Sequence, residues 1–187
     1  MRTLSSFLFL ALACCLQASP FRLLEKVTSR HLSFPRNVIV HLPPDYATSG
    51  KRYPVLYAHD GQNLFDRKTA FAGEWELDEN IAALQKAGLL DGIIVVGIYN
   101  NASRIEEYTP TYIKPGANEW LKHGGGGKLR AYGRFIVEEL KPMIDKQFRT
   151  LPDRRNTGVM GSSLGGIASF YLLGWYPQVF SRSGCIS

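Results

Sequence analysis

The stretch Asn156–Trp175, NTGVMGSSLGGIASFYLLGW, decides the fold. It opens on a short apolar run, Thr157-Gly158-Val159-Met160, turns through Gly161-Ser162-Ser163-Leu164-Gly165, and closes on Ile167, Phe170, Tyr171 and Trp175 at helical spacing. A strand, a sharp turn and a helix, with a serine flanked by glycine two residues away on each side, form the G-x-S-x-G nucleophile elbow. The spacing has a steric cause. At so tight a turn the residues two before and two after the apex must be small, or their side chains collide. Gly161, Gly165 and also Gly166 meet that condition. Ser163 occupies the apex and is the candidate nucleophile; Ser162 sits at the variable position and points elsewhere. The turn aims the amide of Leu164 and the N-terminus of the helix at a developing oxyanion.

Working outward, strands alternate with helices. Arg36–Leu42, Tyr53–Ala58, Gly92–Tyr99, Asn156–Met160 and Val179–Ser187 read as strands, and the second and third are the continuous apolar runs of buried parallel strands. Asp78–Ala87 reads as a helix capped by Asp78 and stopped by Gly88. Leu129–Phe148 reads as the longest helix, with Tyr132, Phe135, Ile136, Leu140, Met143, Ile144 and Phe148 on one face, and Pro142 inside it predicts a kink. Leu164–Trp175 is the helix after the elbow. The pattern implies an α/β fold: a three-layer sandwich with a mostly parallel sheet covered on both faces.

A second oxyanion donor belongs in the loop after an earlier central strand. His59-Asp60-Gly61-Gln62-Asn63 stands there, directly after Tyr53–Ala58. Gly61 permits close backbone approach, and the amide of Gln62 is the candidate donor. His59 reads as a histidine that fixes this loop by hydrogen bonds, in preference to a catalytic one, and Asp60 as structural or substrate-facing. His123-Gly124-Gly125-Gly126 imitates a lipase oxyanion motif but follows no strand, so it reads as a loop leading into the long helix. No cluster has zinc or calcium ligand spacing, and no cofactor is implied.

The chain has 187 residues and a net charge of +6, enough for one domain. No basic run is interleaved with aromatics, which excludes a nucleic-acid footprint. Met1–Pro20 carries Arg2, then an apolar run from Leu4 to Leu16, then a small residue at Ala18. That order is an export signal, with residues 1–19 assigned to it and residues 20–187 to the domain, and it predicts a secreted or periplasmic protein. The run is too short to span a bilayer. Ala11-Leu12-Ala13-Cys14 offers a second-ranked alternative, a lipid anchor at Cys14. Of Cys14, Cys15 and Cys185, only the last lies beyond the signal; its apolar stretch predicts a core residue.

Taken together, His59-Asp60-Gly61-Gln62-Asn63-Leu64-Phe65-Asp66, Gly73-Glu74-Trp75, Val96-Gly97-Ile98, Arg104 with Glu107-Tyr108-Thr109-Pro110, and Gly161 to Gly166 resemble the esterases of the esterase D group. That group includes enterochelin, feruloyl and acetylxylan esterases and mycolyltransferases. The resemblance runs from about Arg36 to the last residue. It implies the α/β-hydrolase fold, Ser163 as nucleophile, the amides near Gln62 and Leu164 as oxyanion hole, and an ester of a carbohydrate, phenolic acid or siderophore as substrate. It makes Trp75, Arg104 and Glu107, with His59 and Asp60, candidates for lining or bracing the site. An acyltransferase of the same fold and a non-catalytic ligand-binding relative are the rival readings.

The triad of this fold runs Ser, then Asp or Glu, then His. After Ser163 the sequence holds no Asp, Glu or His. The expectation is a fragment of a longer enzyme, inactive by itself, in preference to a short non-catalytic relative.

Overall fold

The computed structural model describes residues 19–116, 122 and 124–187. The expected export segment, with Cys14 and Cys15, lies outside the described residues as far as residue 18, and so does His123.

A six-stranded sheet forms the centre, in the order β1-β2-β4-β3-β7-β8. Its strands are β1 (Phe21–Val27), β2 (Arg36–His41), β3 (Val55–His59), β4 (Ile94–Ile98), β7 (Thr157–Ser162) and β8 (Arg182–Ile186). The four strands β4, β3, β7 and β8 run parallel, while β2 pairs antiparallel with β1 and β4. The sheet is thus mostly parallel, as the alternating pattern predicts. A separate two-stranded ladder joins β5 (Tyr112–Ile113) to β6 (Gly125–Gly126). The helices are α1 (Leu77–Lys86), α2 (Arg104–Tyr108), α3 (Leu129–Arg134), α4 (Lys141–Gln147) and α5 (Leu164–Trp175).

The alternation along each strand divides the core in two. Val55 and Tyr57 of β3, with Ile94, Val96 and Ile98 of β4, face α3, α4 and α5 through Leu129, Tyr132, Phe135, Ile144, Ala168 and Leu172. The intervening Leu56, Ala58 and Val95 face the other way, onto Leu64 and Ile81. Helices therefore cover both faces of the sheet.

Several details depart from the sequence expectations. β1 was not expected; it is an edge strand with four of its seven residues exposed, so it carries little apolar signal. α1 begins a residue early, with Glu76 in the left-handed region at its start, so Asp78 does not cap it and instead stands in the first turn. There it complements the helix dipole. The kink expected at Pro142 takes the form of a π-helical stretch, Phe135–Leu140, between α3 and α4. Pro142 then falls in the first turn of α4, directly after the π stretch. Gly125 and Gly126 are paired in a strand and not merely looped. Cys185 is exposed, not buried, because no element among the described residues covers that part of β8.

One buried ion pair ties the sheet to the helical layer. Arg36 at the start of β2 meets Glu107 of α2 in a two-pronged contact, both hydrogen bonds 2.9 Å long. The side chains are 1% and 3% exposed, and the guanidinium lies over the rings of Tyr132 and Phe135. Removing one partner strands the other charge away from water. Glu107→Ala is expected to cost about 3–5 kcal/mol of folding stability, measured by urea denaturation, whereas a loss below ~1 kcal/mol would mean that water reaches Arg36 freely.

Candidate functional site

The parallel direction of β3, β4, β7 and β8 brings their C-terminal ends to one edge. His59 ends β3, and Asp60, Asn100 and Ser163 follow strands there. Loops at this edge of an open parallel sheet are where ligands bind.

Ser163 stands between β7 and α5 with φ 55° and ψ −122°, a region few L-residues enter and one that costs about 1–3 kcal/mol. Its side chain is exposed, and its N–H donates to the carbonyl of Ile186 at 2.8 Å. The glycines are needed as the motif requires. A Cβ on Gly161 would lie 2.7 Å from the backbone carbon of Gly165, and one on Gly166 3.0 Å from the Ile186 carbonyl oxygen. A groove of ≈ 330 Å³ opens beside the serine, walled by Ile167, Phe170, Tyr171, Cys185 and Ile186. A larger hollow of ≈ 500 Å³ lies at the opposite edge, against His41 and Asp78. It is remote from Ser163.

Gln62 sits in a single 3₁₀ turn, Gly61–Asn63, that follows β3. The turn is pressed on β4: a Cβ on Gly61 would come 2.4 Å from the backbone of Gly97. Asp60, in the left-handed region at φ 55° and ψ 48°, starts the turn. Its N–H donates to the Tyr108 hydroxyl at 3.2 Å. Its carboxylate accepts two hydrogen bonds from Arg104, each 2.8 Å, and one from Asn100 at 2.5 Å. The hydrogen bond to Asp60 holds the Arg104 guanidinium above its ordinary pKa, against the opposing effect of burial. Asp60 also abuts the elbow, since a Cβ on Gly165 would sit 3.6 Å from Oδ2.

The other sequence candidates lie around this turn. His59 is 1% exposed beneath the elbow, with Nδ1 2.9 Å from the Tyr132 hydroxyl and its ring against Tyr108 and Tyr132. Burial pushes its pKa down to about 4, so it is neutral at pH 7. Trp75 is half-buried, and its backbone N–H donates to the Asn63 carbonyl at 2.9 Å. Leu164 opens α5. Among the described residues no group of three or more His, Cys, Asp or Glu side chains is placed to hold a metal ion.

Asn100 escaped the sequence reading, and Tyr108 stood in it only as part of a motif, with no role. Asn100 joins Gln62 to Asp60, and Tyr108 holds Asp60. A polar residue directly after the apolar strand β4, at the ligand-binding edge, was the available signal for Asn100.

His59 makes stability pH-dependent. Its folded pKa lies below the ordinary 6.5, so the unfolded chain takes up the proton first. The stability it contributes is present above pH 6.5 and is lost as pH falls toward 4. Burial also lowers the pKa of His41, which adds in the same direction. The contribution of His59 is about 3 kcal/mol. Urea denaturation at pH 7, 5.5 and 4 is expected to show a loss that is shallower in His59→Gln by about that amount; equal slopes would remove His59 as the cause.

The sequence profile of the family described as "Putative esterase" matches residues 29–187. Protein YbbA of Bacillus subtilis is 29% identical over 159 residues, which are 85% of this chain and 59% of that protein. Ferri-bacillibactin esterase BesA of the same organism is 30% identical over 140 residues, 68% of this chain and 45% of BesA. Among solved structures, an IroE-like serine hydrolase from Shewanella oneidensis superposes with a TM-score of 0.67 at 27% identity, over 87% of this chain and 49% of that one. The chain thus spans about half the length of these relatives.

Proposed function

Because this chain belongs to that esterase family, we propose that it carries the nucleophile of a serine carboxylic ester hydrolase acting through an acyl-enzyme. The observation that carries the reading is the backbone of Ser163: an exposed serine held at φ 55° and ψ −122° directly before the first turn of a helix. Such strain persists only where the surroundings enforce it, and it presents Oγ to solvent above the ends of the parallel strands. In the proposed reaction Ser163 Oγ bonds to the ester carbonyl carbon while a base takes its proton. The oxyanion accepts from the amides of Gln62 and Leu164, and the C–O bond breaks as the alcohol leaves with a proton. Water then releases the acid and restores the serine.

The reading assigns the base to no described residue. His31 is held by Glu138 at 3.0 Å, His41 lies at the opposite end of the sheet, and His59 is buried on Tyr132. The substrate class proposed is an ester of a carbohydrate, phenolic acid or siderophore; the name of BesA supports the last. The apolar groove walls at Ile167, Phe170 and Tyr171 support an apolar or aromatic acyl group. Export is part of the same proposal and rests on the Met1–Pro20 pattern.

A fluorophosphonate probe tests it, applied to this chain, to the longest product of the same reading frame, and to the Ser163→Ala variant of each. Label that requires Ser163 is the expected outcome. Folded proteins that take no label in either length would replace the hydrolase by a non-catalytic ligand-binding relative.

A further inference from the structure

We propose that Asn100 is a positioning residue for the oxyanion hole: it holds Gln62 so that the backbone N–H of Gln62 remains free and directed to the reacting carbonyl oxygen. The inference rests on the hydrolase reading and names a residue that reading does not use.

The argument is an account of where the polar groups of Gln62 go. The side-chain Nε2 donates to Asn100 Oδ1 at 2.8 Å. The side-chain Oε1 accepts from the Asn100 N–H at 3.2 Å. The carbonyl oxygen accepts from Thr69 Oγ1 at 2.6 Å. Both ends of the amide side chain and the backbone carbonyl are therefore engaged. Among the described residues the N–H of Gln62 has no partner. The first N–H groups of a helical turn have no partner within it; that of Gln62, like that of Gly61 beside it, stays open while the side chain and carbonyl of Gln62 are held, so it is a donor available to a ligand.

Asn100 is itself fixed. Its Nδ2 donates to Asp60 Oδ1, and that carboxylate is gripped by Arg104 Nε and Nη2. The chain of contacts runs from Arg104 on α2 to Asp60, Asn100 and Gln62, so it leaves the turn at Asp60 and returns to it at Gln62. Gly61 closes it by lying on the backbone of Gly97 in β4, three residues before Asn100. The arrangement fixes the turn both along and across the sheet edge. Asn is suited to the task because its side chain offers an acceptor to Gln62 and a donor to Asp60 at once. Asp in its place would set a second carboxylate against Asp60, and Ala would release both contacts.

Removing an oxyanion donor outright costs about a hundredfold or more in rate. Loosening one that stays in place costs less, and about tenfold is expected for Asn100→Ala. Because Asn100 acts through the Gln62 side chain, and its backbone N–H still holds Gln62 Oε1 in Asn100→Ala, the double variant Gln62→Ala with Asn100→Ala is expected to lose no more than Gln62→Ala alone. The rate of fluorophosphonate labelling at Ser163, in the shortest of the above products that labels, provides the first readout. The second is the ¹⁵N order parameter of the Gln62 amide by NMR. It is expected to fall from about 0.85 to below ~0.6 in Asn100→Ala, while those of Tyr57 and Val96 in the neighbouring strands stay unchanged, which a general loss of structure would not permit.

Wild-type labelling with an unaltered rate in Asn100→Ala, or losses that multiply in the double variant, would overturn the positioning role and leave the hydrolase reading standing. An unaltered Gln62 order parameter would overturn it as well. If no wild-type product labels, the hydrolase reading fails and the oxyanion role of the held amide falls with it.

Discussion

A backbone conformation that few L-residues adopt, at Ser163, is the constraint around which the molecule is arranged. It persists because every route of relaxation is closed. The preceding strand is locked between β3 and β8, the N–H is taken by Ile186, and the facing surfaces of Gly161 and Gly165 leave no room for a side chain between them. A cost of about 1–3 kcal/mol at one residue is sustained by the rigidity of the central sheet. That is why the turn belongs between two parallel strands and not at an edge.

A short element gives this region much of its definition. α2 has only five residues, too few to be stable as an isolated helix. It is held instead by three side chains, two of which meet at Asp60. Arg104 grips Asp60, Glu107 meets Arg36 in the core, and Tyr108 accepts from the Asp60 N–H while packing on His59. The two ion pairs therefore act as the ends of a clasp. One fastens the turn that carries Gln62, the other fastens β2, and α2 joins them. Burying charge is costly unless it is paired and hydrogen-bonded, and here both pairs are two-pronged.

Most of the sheet could be read from the chain. β2, β3, β4, β7 and β8, and the helices α1 and α5, lie within a few residues of where periodicity put them, because each is apolar at the spacing of its own structure. The edge strand β1 could not, since exposure on both faces erases the alternation on which such a reading depends. The order of strands was also out of reach: β4 lies between β2 and β3 through pairings that local sequence does not encode. At the site, Ser163 was legible because the elbow fixes residue types at fixed offsets. Asp60 and Arg104 were selected as single residues, but their mutual contact spans 44 positions. Asn100 was missed for the same reason, being linked to Gln62 across 38. Spacing motifs report what is close in sequence, whereas this site is held by what is close only in space.

The wide π-helical turn at Phe135–Leu140 bears on how this chain can vary in length. A helix that gains or loses a residue ordinarily rotates everything beyond the change by about 100° and turns its buried face to water. A π-turn takes up one residue more than the α-helical turn it replaces, so a deletion within it would leave α3 and α4 facing the surfaces they face now. Pro142 removes that freedom. With α-helical spacing throughout, its ring would clash with the carbonyl four residues before it, at a cost of about 3 kcal/mol or more. The proline thus acts as a ratchet on helix length, disfavouring loss of the extra residue that keeps α3 and α4 on their present faces.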